Sequence, residues 1–233
     1  SDVDKLTAAL IDDPEYQITL VYDWFVKCRQ VRFCSTNSLI PCFVDISIYD
    51  RAAENSKRAN DQLRQLRIEL MDFFDKNERE FSFWKDNPWM VHPHSGLSVQ
   101  CGDVDLEAQR TVVSSAEIDL VQSVFDSFNE KAHDLGLLTD ESRGDFAYAI
   151  DNVFDAPKRK IIWDRNDILP VRKHPFDSFS FLVPAKAEKV ADDCYPGWPY
   201  MPMDICGHDH FAKDVLSDPD VRSAMAKFVD ECN

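Results

Sequence analysis

The sequence predicts an α+β fold, with mixed helices and short strands around one main core and helix dominating the first part. Three observations predict it. Apolar residues recur at intervals of three and four, as in Leu63, Leu66, Leu70 and Phe74, which is the stripe of a core-facing helix. Elsewhere apolar and polar residues alternate, as in "FDSFSFLVPA", the period of a strand. The two patterns follow one another without the strict alternation that a doubly wound sheet requires. Residues 1–233 read as a single α+β domain, with the irregular stretch 86–96 as the one candidate boundary.

Taken in order, Val3, Leu6, Ala9 and Leu10 mark a short amphipathic helix that Pro14 ends. In "YQITLVYDWFVKCRQVRFC", Ile18, Val21, Phe25 and Cys28 fit helical spacing, yet the β-branched and aromatic content favours a buried strand or strand pair. "IPCFVDISIYD" is a strand, with Asp45 and Ser47 set between Phe43, Ile46 and Ile48. A long helix follows from Ala52 to about Asn77, and its polar face carries Arg64, Glu69, Asp72 and Lys76. "FSFWKDNPWMVHPHSG" breaks regularity, and "LSVQCGDVDLE" alternates as a strand until Gly102.

Ser114 and Glu117 form a capping-box pair that opens a helix with Ile118, Val121, Val124, Phe125, Phe128 and Ala132 inward, and Gly136 is placed to cap its C-terminus. Thr139 is expected to cap a further helix burying Phe146, Ile150, Val153 and Phe154, which stops before Pro157. "KRKIIWD" and "FDSFSFLVPA" read as strands, the second with Phe179, Phe181 and Val183 on one side. Ser217 caps a last helix whose stripe is Val221, Met225, Phe228 and Val229.

The 233 residues carry 42 acidic against 26 basic side chains, a net charge of −16. Such a surface repels phosphate backbones, so generic nucleic-acid binding is disfavoured, and a basic protein or a held cation is the compatible partner. Six glycines argue against glycine-cradled phosphate loops. No run of eighteen apolar residues is present, so no membrane partner is expected. The seven cysteines are an odd number without close pairs, which suggests reduced thiols and a cytoplasmic location. "SDVDKLTAAL" lacks the basic and apolar regions of a secretory signal, although without an initiator Met a targeting segment could have been removed.

Four groups of residues have the chemistry of sites. "CYPGWPYMPMDICGHDHF" contains zinc-ligand types at Cys194, Cys206, His208 and His210, but eleven residues separate its cysteines where a zinc knuckle needs two to four. "VHPHS" sets His92 and His94 as a His-x-His pair, a frequent first element of metallohydrolase sites. In "GDVDLE", Asp103 and Asp105 project to one side of a strand, as a Mg²⁺ site needs. This pair resembles the paired-aspartate strand of the nucleotidyltransferase superfamily. The resemblance implies a metal-dependent phosphotransfer site completed by a third carboxylate, for which "KIIWD" offers Asp164. It departs from that superfamily in having the order Ser95-Gly96 and too little chain for the preceding helix. "HPF" at His174–Phe176 opens like an AMP-transferring Fic motif, but "DSFSF" stands where its anion loop belongs.

The fourth group is aromatic: Trp84, Trp89, Trp198 and Tyr200 lie in loop-like stretches with polar flanks, as interface anchors do. Together with the acidity, they favour an interaction protein, such as an inhibitor or immunity-type binder of a basic partner, that needs no cofactor. The alternative is a divalent-metal enzyme using Asp103, Asp105 and Asp164, or the histidine pairs, with Mg or Zn.

Overall fold

The computed structural model describes residues 2–37, 39–40, 43–92, 114–152, 160–177, 179–194, 199 and 217–232. Their fold is α+β. Helix α1 (Asp2–Leu10) precedes an antiparallel hairpin of β1 (Tyr16–Asp23) and β2 (Cys28–Ser35), in register from Tyr16 opposite Ser35 to Asp23 opposite Cys28. With β3 (Phe43–Ile46) and β5 (Trp89–Val91), the hairpin makes a four-stranded sheet ordered β3-β2-β1-β5. The helical spacing in this stretch is a by-product of burial on both faces. Ile18, Thr19, Val21, Tyr22 and Cys28 are all inside, so neighbouring as well as alternate positions are buried, whereas Phe25 is exposed at the turn.

The hairpin turn is built by its neighbours. The Asp23 carboxylate accepts from the backbone N–H of Phe25 at 2.8 Å and of Val26 at 3.4 Å. From α2 (Lys57–Lys76), the buried Arg67 guanidinium donates to the Val26 and Lys27 carbonyls at 2.6 and 2.7 Å. This satisfies carbonyl oxygens at a turn where Lys27 is left-handed, with φ 48°.

The main core lies between α2 and α4 (Ser115–Asp134). Leu63, Leu66, Leu70 and Phe74 meet Ile118, Val121 and Phe125, and Trp84 and Met90 close the cluster. Both helices start at serine caps, of which the sequence reading named only Ser114. Ser56 accepts from Ala59 N–H at 3.0 Å, and Ser114 and Glu117 form the full reciprocal box. Gly136, at φ 67°, follows the end of α4, as expected of a left-handed C-terminal glycine. Helix α2 starts at Lys57 because Ala52 belongs to β4 (Tyr49–Ala52), and the single predicted strand over 40–50 is split into β3 and β4.

One predicted element is of the wrong type. The stretch after Thr139 is not a helix: β6 (Asp145–Tyr148) is the middle strand of a second antiparallel sheet, ordered β4-β6-β7, with β7 at Ile162–Trp163. Its apolar residues do recur four apart, at Phe146 and Ile150, but pairing with two strands overrides that pattern. Gly144 permits the close approach, since a Cβ there would meet the Ala52 carbonyl at 2.8 Å. Val153 and Phe154 lie outside the described residues.

Beyond a short α3 (Ser82–Asp86) and α5 (Arg165–Ile168), the chain forms the β8–β9 ribbon (Arg172–Phe176 and Phe179–Val183), α6 (Ala187–Cys194) and α7 (Pro219–Cys232). Asp218, not Ser217, caps the last helix, accepting from Asp220 and Val221 N–H. Of that helix's predicted stripe, Val221 is buried and Val229 is exposed. Among the described residues no helix is long and apolar enough to cross a membrane.

Candidate functional site

The residues singled out in the sequence fall in different places. Trp84 is not a surface anchor: it is fully buried, its indole N–H donates to the Tyr22 carbonyl at 3.0 Å, and its ring packs edge-on against Trp24 and Phe74. The lone polar atom of the side chain is thereby satisfied, so the whole residue serves the core. Trp89 is half-buried, and its ring lies tilted against the exposed Phe25 with centroids 5.0 Å apart. Asp164 is the N-cap of α5, with its carboxylate accepting from Asn166 N–H at 2.7 Å. His92 is half-buried just after β5 and bonded through its backbone to Leu20. Asp103, Asp105, His94, Trp198, Tyr200, Cys206, His208 and His210 lie outside the described residues. Among the described residues no three His, Cys, Asp or Glu side chains converge as metal ligands.

Two other features have the character of sites. The first is a cleft of about 500 Å³, with residues from α1, β2, β4 and α4 and the loop after β6 in its lining. On its floor, the mostly buried Arg29 guanidinium meets the buried Asp151 carboxylate at 2.6 Å. Tyr22, directly across the strand pair from Arg29, donates its hydroxyl to Gln122 Oε1 at 3.0 Å. Burial pushes that phenol up to about 12, so it stays a donor. Gln122, Asp126 and Asn129 follow one another at helical spacing along α4. The Gln122 amide donates to Asp126 at 2.9 Å, and the Asn129 amide donates to Asp50 at 3.1 Å. Burial, and then the nearby Asp151 charge, raises Asp50 above the usual carboxylate range.

The second feature is the β8–β9 ribbon. Cross-strand pairing puts Phe176, Phe179 and Phe181 on one face with Arg172 and His174, and Lys173 and Leu182 on the other. Among the described residues the ribbon pairs with no other strand. Phe176, Phe179, Phe181 and Leu182 are 69, 49, 53 and 67% exposed, whereas large apolar side chains on a two-stranded ribbon ordinarily need a covering layer. The base of the ribbon is fastened. Arg172 bonds the Ala185 carbonyl and pairs with Glu188, and the buried Asp167 carboxylate pairs with Lys186 at 2.7 Å and also with Lys189. Those two lysines hold Asp167 below the usual carboxylate range. Asp177, left-handed at φ 53°, turns the tip.

Sequence reading placed Phe179 and Phe181 on one side of a strand without showing that the side is uncovered. It missed the cleft, whose only local signal is the polar stripe Gln122, Asp126 and Asn129 beside the apolar stripe of α4. No protein-family model matches the sequence, and no curated protein or solved structure is similar to it.

Proposed function

We propose that the protein is an acidic interaction protein, of inhibitor or immunity type, that binds a basic partner protein and needs no cofactor. The observation that carries this reading is the β8–β9 ribbon, with Phe176, Phe179, Phe181 and Leu182 exposed on a braced base. Covering what remains exposed of one such side chain is worth about 1–2 kcal/mol, so a partner that seats two or three gains a usable anchor. The net charge of −16 supports a basic partner, because opposite net charge accelerates encounter. The ribbon's own formal charges, Arg172, Lys173 and Asp177, are mixed, so its contribution is apolar grip while the rest of the surface steers. The unpaired thiols Cys28, Cys34 and Cys194 fit work in a reducing compartment such as the cytoplasm.

The test is affinity capture with the full chain and with a Phe179→Ser, Phe181→Ser double variant. A partner rich in Lys and Arg should be held by the first, lost by the second, and released between about 50 and 500 mM salt. Equal capture by both chains, or binding indifferent to salt, would refute the reading.

A further inference from the structure

We infer that the cleft floored by Arg29 and Asp151 is a binding site for an organic cation, an alkylammonium or alkylguanidinium group. The inference stands apart from the partner-binding reading and rests on different residues. A volume of about 500 Å³ lies in the range of small-molecule pockets, and Leu6, Ile48 and Phe125 give it apolar walls. Its charges do not balance. Four carboxylates line it: Asp2, which pairs with Lys5, and Asp50, Asp126 and Asp151, which share one guanidinium, Arg29, already committed to Asp151 at 2.6 Å. Asp50 and Asp126 rest on neutral amides, Asn129 and Gln122, and each carboxylate has acceptor capacity beyond that single bond. His133 and Arg29 add a weaker positive influence on Asp50 than burial opposes.

A surplus of acceptors within apolar walls repels anions and gives neutral ligands little to exchange for water. It suits a group with several N–H donors and an alkyl stem. A bare metal ion does not fit, because these carboxylates are spread along the cleft and do not converge on one point. A planar guanidinium or an extended amine can bridge such separated acceptors.

The cation could be a free amine or a basic side chain of another protein, and two probes separate these sources. Agmatine and the blocked peptide acetyl-Gly-Arg-Gly-amide are titrated by calorimetry and by the side-chain amide signals of Gln122 and Asn129 in ¹⁵N spectra. At least one should bind and shift both signals. Asp50→Asn with Asp126→Asn should weaken it tenfold or more, as expected for losing bonds to charged acceptors. Asp119→Asn with Glu130→Gln, which removes the same charge from exposed positions on α4, should leave affinity unchanged. Binding of agmatine assigns the site to free amines, and binding of the peptide alone assigns it to a partner's arginine. If neither probe moves the amide signals, or the control pair weakens binding equally, the inference fails. Should the double variant unfold, Asp126→Asn alone, at the exposed rim, supplies the comparison.

Discussion

Arg29 and Asp151 are joined twice: the Arg29 backbone N–H donates to the Asp151 carbonyl at 2.7 Å, and its guanidinium holds the Asp151 carboxylate at 2.6 Å. The pair ties β2 of the first sheet to the loop that follows β6 of the second. Burial works most strongly against the charged form of Arg29, and Asp151, Tyr22 and Asp126 together more than offset it. Removing one partner leaves a buried charge alone. Arg29→Met or Asp151→Asn should therefore cost about 3–5 kcal/mol in urea unfolding. The double change Arg29→Met, Asp151→Leu should cost clearly less than the sum of the single changes. Additive losses would show that the two side chains are not coupled.

Trp84 supplies a second expectation. Its ring is enclosed by Trp24, Phe74 and Phe125, and its N–H satisfies the Tyr22 carbonyl. Trp84→Ala should lose about 3–5 kcal/mol through the cavity it leaves. Trp84→Phe fills most of that space but removes the indole bond to the Tyr22 carbonyl, for a loss of about 1–3 kcal/mol. Thermal or urea unfolding checks both. A Trp84→Ala protein of near-native stability would return Trp84 to the list of surface anchors.

The ribbon should behave in the opposite way. Phe176, Phe179 and Phe181 touch one another but belong to neither buried cluster. Phe176→Ser and Phe181→Ser should each change stability by no more than about 0.5 kcal/mol. A loss of several kcal/mol would mean that the chain itself covers this face.

Asp50 sets a pH dependence whose sign follows from its raised pKa. Above the usual carboxylate value of 3.8, the unfolded chain ionises Asp50 freely, whereas burial in the folded chain resists it. The folded state therefore holds the proton more tightly. The penalty is complete above the raised folded value, shrinks as pH falls through it, and is gone below the unfolded one. Asp50→Asn, which still accepts from Asn129, should be more stable than the parent at pH 7. That advantage should shrink towards pH 4, as followed by unfolding midpoints at each pH. A variant less stable than the parent at pH 7 would show that the ionised carboxylate is welcome there.

Much of the fold was legible because it is local. The capping pair Ser114 and Glu117, the stripe Leu63 to Phe74 and the turn glycine Gly136 each need only a few neighbouring residues. The strand at Asp145–Tyr148 was not legible, since its identity comes from pairing with Tyr49–Ala52, about a hundred residues away. The cleft was hidden for the same reason: Arg29, Asp50, Asp126 and Asp151 come from separate elements, and no spacing announces their meeting. For the ribbon, alternation tells which phenylalanines share a face but not whether anything covers it.

The most direct measurement places a photo-crosslinking residue at position 181 of the full chain, with an identical one at Ile68, exposed on α2, as the control. If the ribbon is the anchor for a basic partner, position 181 should crosslink to a protein with an excess of Lys and Arg, and position 68 should not. No adduct from position 181, or the same adducts from both positions, would contradict it.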